Sequence, residues 1–130
     1  AKERYRLGMG DRCGHAEIEI GDATVMLSDE FPEMNAVGPV ALGGTSVVMV
    51  LLVSNADATF KKAVAAGGKV KRPLQDEFYG YRAGQIEDPF GHIWMVQQLI
   101  EEVPPKEMQK RLDAMMSGGG AKPARKAERE

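Results

Sequence analysis

Aromatic and charged side chains that could bind a small molecule are concentrated in the run DEFYGYRAGQIEDPFGHIWM, which begins at Asp76. Phe78, Tyr79 and Trp94 can stack on a planar ligand, and the forked guanidinium of Arg82 can pair with a carboxylate or a phosphate. In an alternative, Arg82 bonds an aspartate of the same hairpin, Asp88 or Asp76, and only holds the loop in place. The sequence leaves both roles open.

Other groups capable of acid–base chemistry lie in the first half of the chain. Glu17 or His15 could act as a general base, although a solvated strand face explains the alternating Glu17 and Glu19 equally well. His15 and His92 stand at the starts of different strands, so their spacing does not predict a shared metal site. The single cysteine, Cys13, is interpreted as an incidental residue before a strand.

The turn that positions the aromatic run is the tetrapeptide Asp88-Pro89-Phe90-Gly91. Proline fixes φ early in such a turn and glycine can adopt a positive φ later, so the tetrapeptide predicts a hairpin. Its strands are expected over Arg82–Glu87 and His92–Leu99. We therefore assign a structural role to Asp88, Pro89 and Gly91.

Alternating hydrophobicity predicts further strands on either side of a glycine- and proline-rich connection, 29–44, which we take as the boundary between two halves of one domain. The run 45–53 is apolar on both faces and predicts a central, covered strand. Ser54 with Asp57 predicts the cap of a helix that ends at Gly67-Gly68. The remaining expected strands are 5–7, 15–20, 23–28 and 69–74, and a last helix is expected at 105–116.

Composition favours a single globular domain with a small-molecule or protein partner. The chain has 130 residues, 43% hydrophobic and 28% charged, and a net charge of -2, which gives no electrostatic reason to bind nucleic acid or an anionic membrane. One cysteine permits no internal disulfide, and neither a signal peptide nor a spanning apolar run is evident. We expect a cytoplasmic protein.

Two segments share one plan of strand, turn, strand, glycine-containing turn and strand. They are Arg4 to Ser28 and Lys69 to Gln98. A strand and a helix precede the second copy, whereas nothing precedes the first. If the halves are equivalent, we expect a strand and a helix to be missing before Ala1.

This βαβββ plan resembles the glyoxalase/bleomycin-resistance superfamily, the vicinal oxygen chelate proteins, and its PhnB-like branch. The matching residues are Gly14–Ile18, the helix that ends AVAAGG, and the run from Asp76 to Trp94. The resemblance implies an α+β fold of two βαβββ modules, forming curled mixed sheets around a cleft, plus a C-terminal helix. The expected layout is an incomplete first module (1–30), a second module (45–100), the helix (104–116) and a disordered tail (117–130).

In metal-using members of that superfamily, His, Gln and Glu ligands come from the first and last strands of the two modules. Three of the four equivalent positions are occupied here by Met26, Val48 and Met95. Because a thioether is a poor ligand for the usual divalent ions and valine is none, the resemblance predicts that metal and cofactor are both absent. We expect Met26 and Met95 to line an apolar cavity with Val48 and Val50, although methionines also fill closed cores.

The sequence therefore favours a metal-free small-molecule binding protein, similar to the drug-sequestering members, that forms a homodimer. The predicted ligand site comprises Met26, Val48, Val50, Phe78, Tyr79, Arg82 and Met95. The alternative is a superfamily enzyme, a metal-dependent lyase, isomerase or dioxygenase or a metal-free one with Glu17 or His15 as base. A third hypothesis, a partner domain, rests on the methionine stripe of the last helix.

Overall fold

The computed structural model describes residues 1–118, which fold as two compact units. The first unit is Ala1–Leu42 and the second begins at Gly43, so the division lies inside the connection predicted at 29–44. Most of the tail expected at 117–130 lies outside the described residues. Ser117 itself ends the last helix.

The first unit is built on a three-stranded antiparallel sheet of order β1-β2-β3. Its strands are β1 (Lys2–Met9), β2 (Arg12–Ile20) and β3 (Ala23–Leu27). The first two are longer than predicted because their pairing continues to the turn at Gly10, where φ is +66°. The register of β1 shifts between Glu3 and Tyr5, which marks a bulge at Arg4.

The connection after β3 is ordered by local contacts rather than left as a plain loop. It contains a 3₁₀ turn at Pro32–Met34 and a short helix, α1 (Pro39–Leu42). Phe31 is buried, and the Arg12 guanidinium lies 4.1 Å from its ring centroid. Arg12 also pairs with Glu33 at 2.6 Å. These contacts fasten the connection to β2.

The second unit has the predicted βαβββ order in a mixed four-stranded sheet. Its strands β4, β7, β6 and β5 lie side by side in that order, with β4 parallel to β7 and the other pairs antiparallel. Pro73 is tolerated in β5 because that strand lies at an edge of the sheet. The elements are β4 (Val48–Leu52), α2 (Ala56–Ala65), β5 (Lys69–Asp76), β6 (Tyr81–Glu87) and β7 (Ile93–Leu99).

The prediction of a central, covered strand over 45–53 is wrong. Strand β4 lies at the opposite edge of the sheet from β5, and its residues alternate between half-buried and exposed. Met49 and Leu51 are half-buried, whereas Val48, Val50 and Leu52 are exposed. An apolar run on both faces therefore reflects one packed face and one apolar face left uncovered by the described residues.

Helix α2 covers one face of this sheet and forms the core with it. Its cap is Asn55 rather than the predicted Ser54: the Asn55 side chain accepts a hydrogen bond from the Ala58 N–H at 3.0 Å. Gly67, at φ +112°, ends the helix as predicted. The core cluster consists of Ala56, Phe60, Ile86 and Val96, flanked by Val53, Ala63 and Leu74.

The last helix, α3 (Pro105–Ser117), begins at the predicted residue and ends one residue later than predicted. Leu112, Met115 and Met116 are exposed along it, whereas Met108 is half-buried. None of the helices within residues 1–118 is long and apolar enough to cross a lipid bilayer.

Candidate functional site

Asp88 organises the hairpin of the aromatic run. Its Oδ1 accepts hydrogen bonds from the N–H groups of Phe90 (2.9 Å) and His92 (3.1 Å), and its Oδ2 accepts one from the Trp94 indole (3.0 Å). Gly91, at φ +90°, completes the turn. The structural role predicted for this turn is confirmed, and the Trp94 indole N–H is satisfied within it.

The guanidinium of Arg82 is bound by two aspartates. Two of its nitrogens donate to the carboxylate of Asp57 at 3.0 Å, and the third donates to Asp76 at 3.0 Å. These contacts raise the pKa of Arg82 and lower that of Asp57. The arrangement matches the alternative in which Arg82 holds the hairpin, with Asp57 on α2 as a partner that the sequence analysis did not identify.

The loop 77–80 that carries the predicted aromatic residues is fixed by tight backbone contacts. The Gly80 carbonyl accepts hydrogen bonds from the N–H groups of Ile100 (2.9 Å) and Glu101 (3.1 Å). Arg111 on α3 donates to the Phe78 carbonyl at 3.0 Å and pairs with Glu101 at 2.9 Å. Helix α3 therefore fastens this loop.

Three of the predicted ligand residues lie together on the sheet face opposite α2, which we call the helix-free face because no described helix packs on it. Val50 pairs with Met95 across β4 and β7, and Val48 lies two residues earlier on the same side. Val48 is 41% exposed and Val50 is 50% exposed. Gln85 pairs with Met95 from the other flank, so the patch has a polar border.

The other predicted residues of the second unit are divided between the two faces. Arg82 points to the α2 side, as its bond to Asp57 shows, so it does not share a surface with Met95. The Phe78 and Tyr79 rings meet edge to face at 5.2 Å, and Tyr79 lies 5.9 Å from Tyr81. Because Tyr81 falls on the helix-free face, this aromatic group borders one end of it. Burial, reinforced by Glu77, raises the pKa of Tyr79.

The remaining predicted residue, Met26, lies on β3 of the first unit and is 66% exposed. Its cross-strand neighbour is Glu17 on β2, which in turn pairs with Tyr5 on β1. The three side chains therefore share one face of the first sheet, which we call the Met26 face. Each sheet thus has a methionine opposite a polar residue of the neighbouring strand. Met26 lies opposite Glu17 in the first sheet, and Met95 lies opposite Gln85 in the second.

Glu17 is the centre of a polar network that was not predicted from the sequence. It is 8% exposed, and its Oε2 accepts hydrogen bonds from the Tyr5 hydroxyl (2.9 Å) and the His15 Nε2 (3.1 Å). Arg4 lies 3.5 Å from its Oε1. These bonds, with that from His15 foremost, lower the pKa of Glu17, and the hydrogen bond to Glu17 raises the pKa of Tyr5. The sequence signal that could have indicated this network is the spacing of His15 and Glu17, which lie two residues apart on one strand and therefore share a face.

The side chains that the superfamily resemblance places at metal positions do not suit a divalent ion. Met26, Val48 and Met95 are the residues so placed, and they offer two thioethers and a hydrocarbon. Elsewhere in residues 1–118, no three His, Cys, Asp or Glu side chains are grouped so as to hold a metal. The residues present do not fit the metal that metal-using relatives bind.

Sequence comparison identifies bacterial relatives of the chain. An uncharacterized protein of Mycobacterium tuberculosis is 39% identical over 107 residues, which cover 80% of this chain and 63% of that protein. Protein YjdN of Escherichia coli is 27% identical over 90 residues, 69% of this chain and 58% of the relative. The chain thus spans about three-fifths of the length of these curated relatives.

Solved structures share the fold. TioX from Micromonospora sp. ML1 has a TM-score of 0.59 at 27% identity, covering 76% of this chain and 79% of its own. A PhnB protein from Bacillus cereus has a TM-score of 0.52 at 13% identity, covering 75% and 78%, and this likeness shows the fold alone. The sequence pattern of the Glyoxalase/Bleomycin resistance protein/Dioxygenase superfamily matches residues 1–96. The chain belongs to this superfamily.

Proposed function

We propose that the protein binds small molecules with a flat, apolar body and that it does so without a metal ion. The observation that carries this proposal is the apolar patch on the helix-free face, which is formed by the exposed Val48 and Val50 and the half-buried Met95. When a ligand covers apolar side chains on an uncovered sheet face and removes them from water, the free energy of the system falls. Met95 adds a flexible, polarizable surface suited to aromatic rings.

The site that we propose also includes aromatic and polar residues beside the apolar patch. Phe78, Tyr79 and Tyr81 form an aromatic group at one end of the helix-free face, and Gln85 lies beside Met95. Aromatic rings at the rim supply stacking, and an amide supplies one directional hydrogen bond. Arg82 has no place in the proposed site because its donors serve Asp57 and Asp76.

A second candidate function is that of an enzyme of the superfamily acting on a small substrate with vicinal oxygens. The Tyr5–Glu17–His15 network favours it, because a carboxylate that orients an imidazole is a common device for general base catalysis. The two candidates differ in what they require of a ligand: the binding protein only retains it, whereas the enzyme converts it.

Metal analysis combined with a ligand screen tests the proposal. We expect the purified protein to contain well under one equivalent of divalent metal, and aromatic or polycyclic compounds to raise its melting temperature, because a ligand that binds only the folded state stabilises it. Compounds recovered from the mixture should be chemically unchanged. A stoichiometric, tightly held ion would contradict the metal-free proposal, and conversion of the compounds would favour the enzyme.

We also propose a homodimer in the cytoplasm. The outer edge of β4 has no strand beside it among the described residues, and it carries exposed Val48, Val50 and Leu52. Free strand edges with apolar side chains favour association with another chain. Light scattering should give a mass twice that of one chain, and a monomer at every concentration would contradict the proposal. The single, unpaired Cys13 is compatible with a reducing compartment.

A further inference from the structure

The apolar patch of the second unit does not account for the polar network on the Met26 face of the first unit. We propose that His15, held by Glu17, is the hydrogen-bond acceptor that recognises the acidic hydroxyl group of a ligand, such as a phenol, bound on the Met26 face itself. This inference rests on the proposed small-molecule binding function and names the class of ligand.

The charge state of Glu17 fixes the direction of the hydrogen bonds. A glutamate carboxyl is already ionised at neutral pH, and the contacts with His15 and Tyr5 lower the pKa of Glu17 further. An ionised carboxylate can only accept hydrogen bonds. The Nε2 of His15, 3.1 Å from the Glu17 Oε2, must therefore carry the proton that it donates.

This bond determines what His15 presents to solvent. In a neutral imidazole whose Nε2 is protonated, the Nδ1 has a free lone pair. Among the hydrogen bonds within residues 1–118, none involves the Nδ1 of His15. The side chain is 34% exposed, so a ligand can approach this acceptor. The bond to Glu17 also fixes the orientation of the imidazole ring.

The surroundings of His15 select a phenol over an anion or a metal ion. Glu17 and Glu19 lie on the same strand face, and Arg4 bridges them at 3.5 and 3.7 Å. With two carboxylates and one guanidinium, the network carries net negative charge and repels a carboxylate or phosphate ligand. Among the described residues, no three His, Cys, Asp or Glu side chains are grouped so as to hold a metal ion. A neutral but acidic hydroxyl suits an acceptor of this kind.

Apolar surface suitable for the ring of such a ligand lies next to the network. Met26 is cross-strand from Glu17 and its side chain is largely exposed. The ring of Tyr5 lies 5.8 Å from that of His15, tilted by 40°. A methionine and an aromatic ring beside a hydrogen-bond acceptor match the two parts of a phenol, an apolar ring and an acidic hydroxyl.

Naphthol and its methyl ether, methoxynaphthalene, provide the test, since they differ by a single hydrogen-bond donor. In equilibrium dialysis against the full chain we expect naphthol to bind at least about tenfold more tightly, the value of one hydrogen bond to a strong acceptor. His15→Leu should reduce the ratio of the two affinities to near one. Glu17→Gln should also reduce it, because the glutamine no longer fixes the imidazole tautomer.

His92→Leu is the matched control, because it makes the same substitution at an exposed residue outside the Met26 face and should preserve the preference for naphthol. The ratio of two ligands on the same variant separates recognition from folding, since a general loss of structure weakens both equally. Equal binding of naphthol and its ether to the unmodified chain would overturn the inference and leave the proposed function standing. Failure of both compounds to bind would overturn the inference and count against the proposed function as well.

Discussion

Gly80→Ala should destabilise the second unit by about 4 kcal/mol, from backbone strain and steric overlap together. Gly80 has φ +93°, a conformation that side-chain-bearing residues rarely adopt. A Cβ atom there would lie 2.0 Å from the carbonyl oxygen of Glu101 and 2.9 Å from the Cγ2 of Val103. Backbone atoms cannot move aside as a flexible side chain can, so the chain after β7 must shift.

That shift would also break hydrogen bonds that hold the aromatic loop. The Gly80 carbonyl accepts from Ile100 and Glu101, and Glu101 in turn pairs with Arg111 on α3. Urea denaturation monitored by Trp94 fluorescence measures the loss of unfolding free energy. Because Phe78 and Tyr79 precede Gly80 directly, the variant should also weaken binding of aromatic compounds if these rings border the ligand site.

Gly67→Ala is a control for strain alone. Gly67 also has a positive φ, +112°, but the nearest atom to an added Cβ is the Pro89 Cγ at 3.4 Å, an ordinary contact. We expect a loss of roughly 1–2 kcal/mol from the backbone conformation. Equal losses in the two variants would mean that the close approach of Glu101 to Gly80 costs nothing, which would contradict the packing described.

Local patterns predicted the elements of the second unit because each signal depends on residues close in sequence. The Asp88 turn, the glycines after α2 and the proline before α3 all act within a few residues of where they occur. The same locality explains why Val48, Val50 and Met95 could be placed on one face: strand parity alone separates them from Met49 and Trp94. Superfamily resemblance supplied the pairing of these strands.

Contacts between distant residues could not be predicted in this way. The pair of Arg82 and Asp57 joins β6 to α2 across 25 residues, and neither pattern nor parity names a partner at that distance. The position of β4 at a sheet edge was mispredicted because the hydrophobicity of a strand says nothing about its lateral neighbours.

The network around Glu17 depends on an irregularity that no periodic pattern contains. The bulge at Arg4 shifts the register of β1, so that Tyr5 rather than Arg4 stands opposite Glu17. Arg4 then reaches the same carboxylate from the bulged position at 3.5 Å. Without the bulge, strand parity would direct Tyr5 to the other face. The sequence could identify Glu17 and His15 as candidate bases, but it could not supply their hydrogen-bonding partner on β1.

Met95→Glu should weaken the binding of aromatic compounds by at least about a hundredfold, because an ionised carboxylate pressed against an apolar ligand loses its hydration. Met95 lies in the middle of β7, paired with Val50 on one side and Gln85 on the other, so a charge there reaches the centre of the proposed site. Dissociation constants from calorimetry, measured with the strongest compound of the screen, give the comparison.

A second variant guards against misfolding of the first. Val50 is 50% exposed, so Val50→Glu costs little folding free energy and places a charge directly across from Met95.

Two further variants are controls. Met95→Leu conserves volume and apolar character and should keep affinity within about tenfold. Phe90→Glu adds the same charge at an exposed turn residue outside the sheet face and should leave binding unchanged. If both glutamates on the helix-free face also left binding unchanged while the variants stayed folded, the ligand would have to bind elsewhere, and the patch would lose its proposed role.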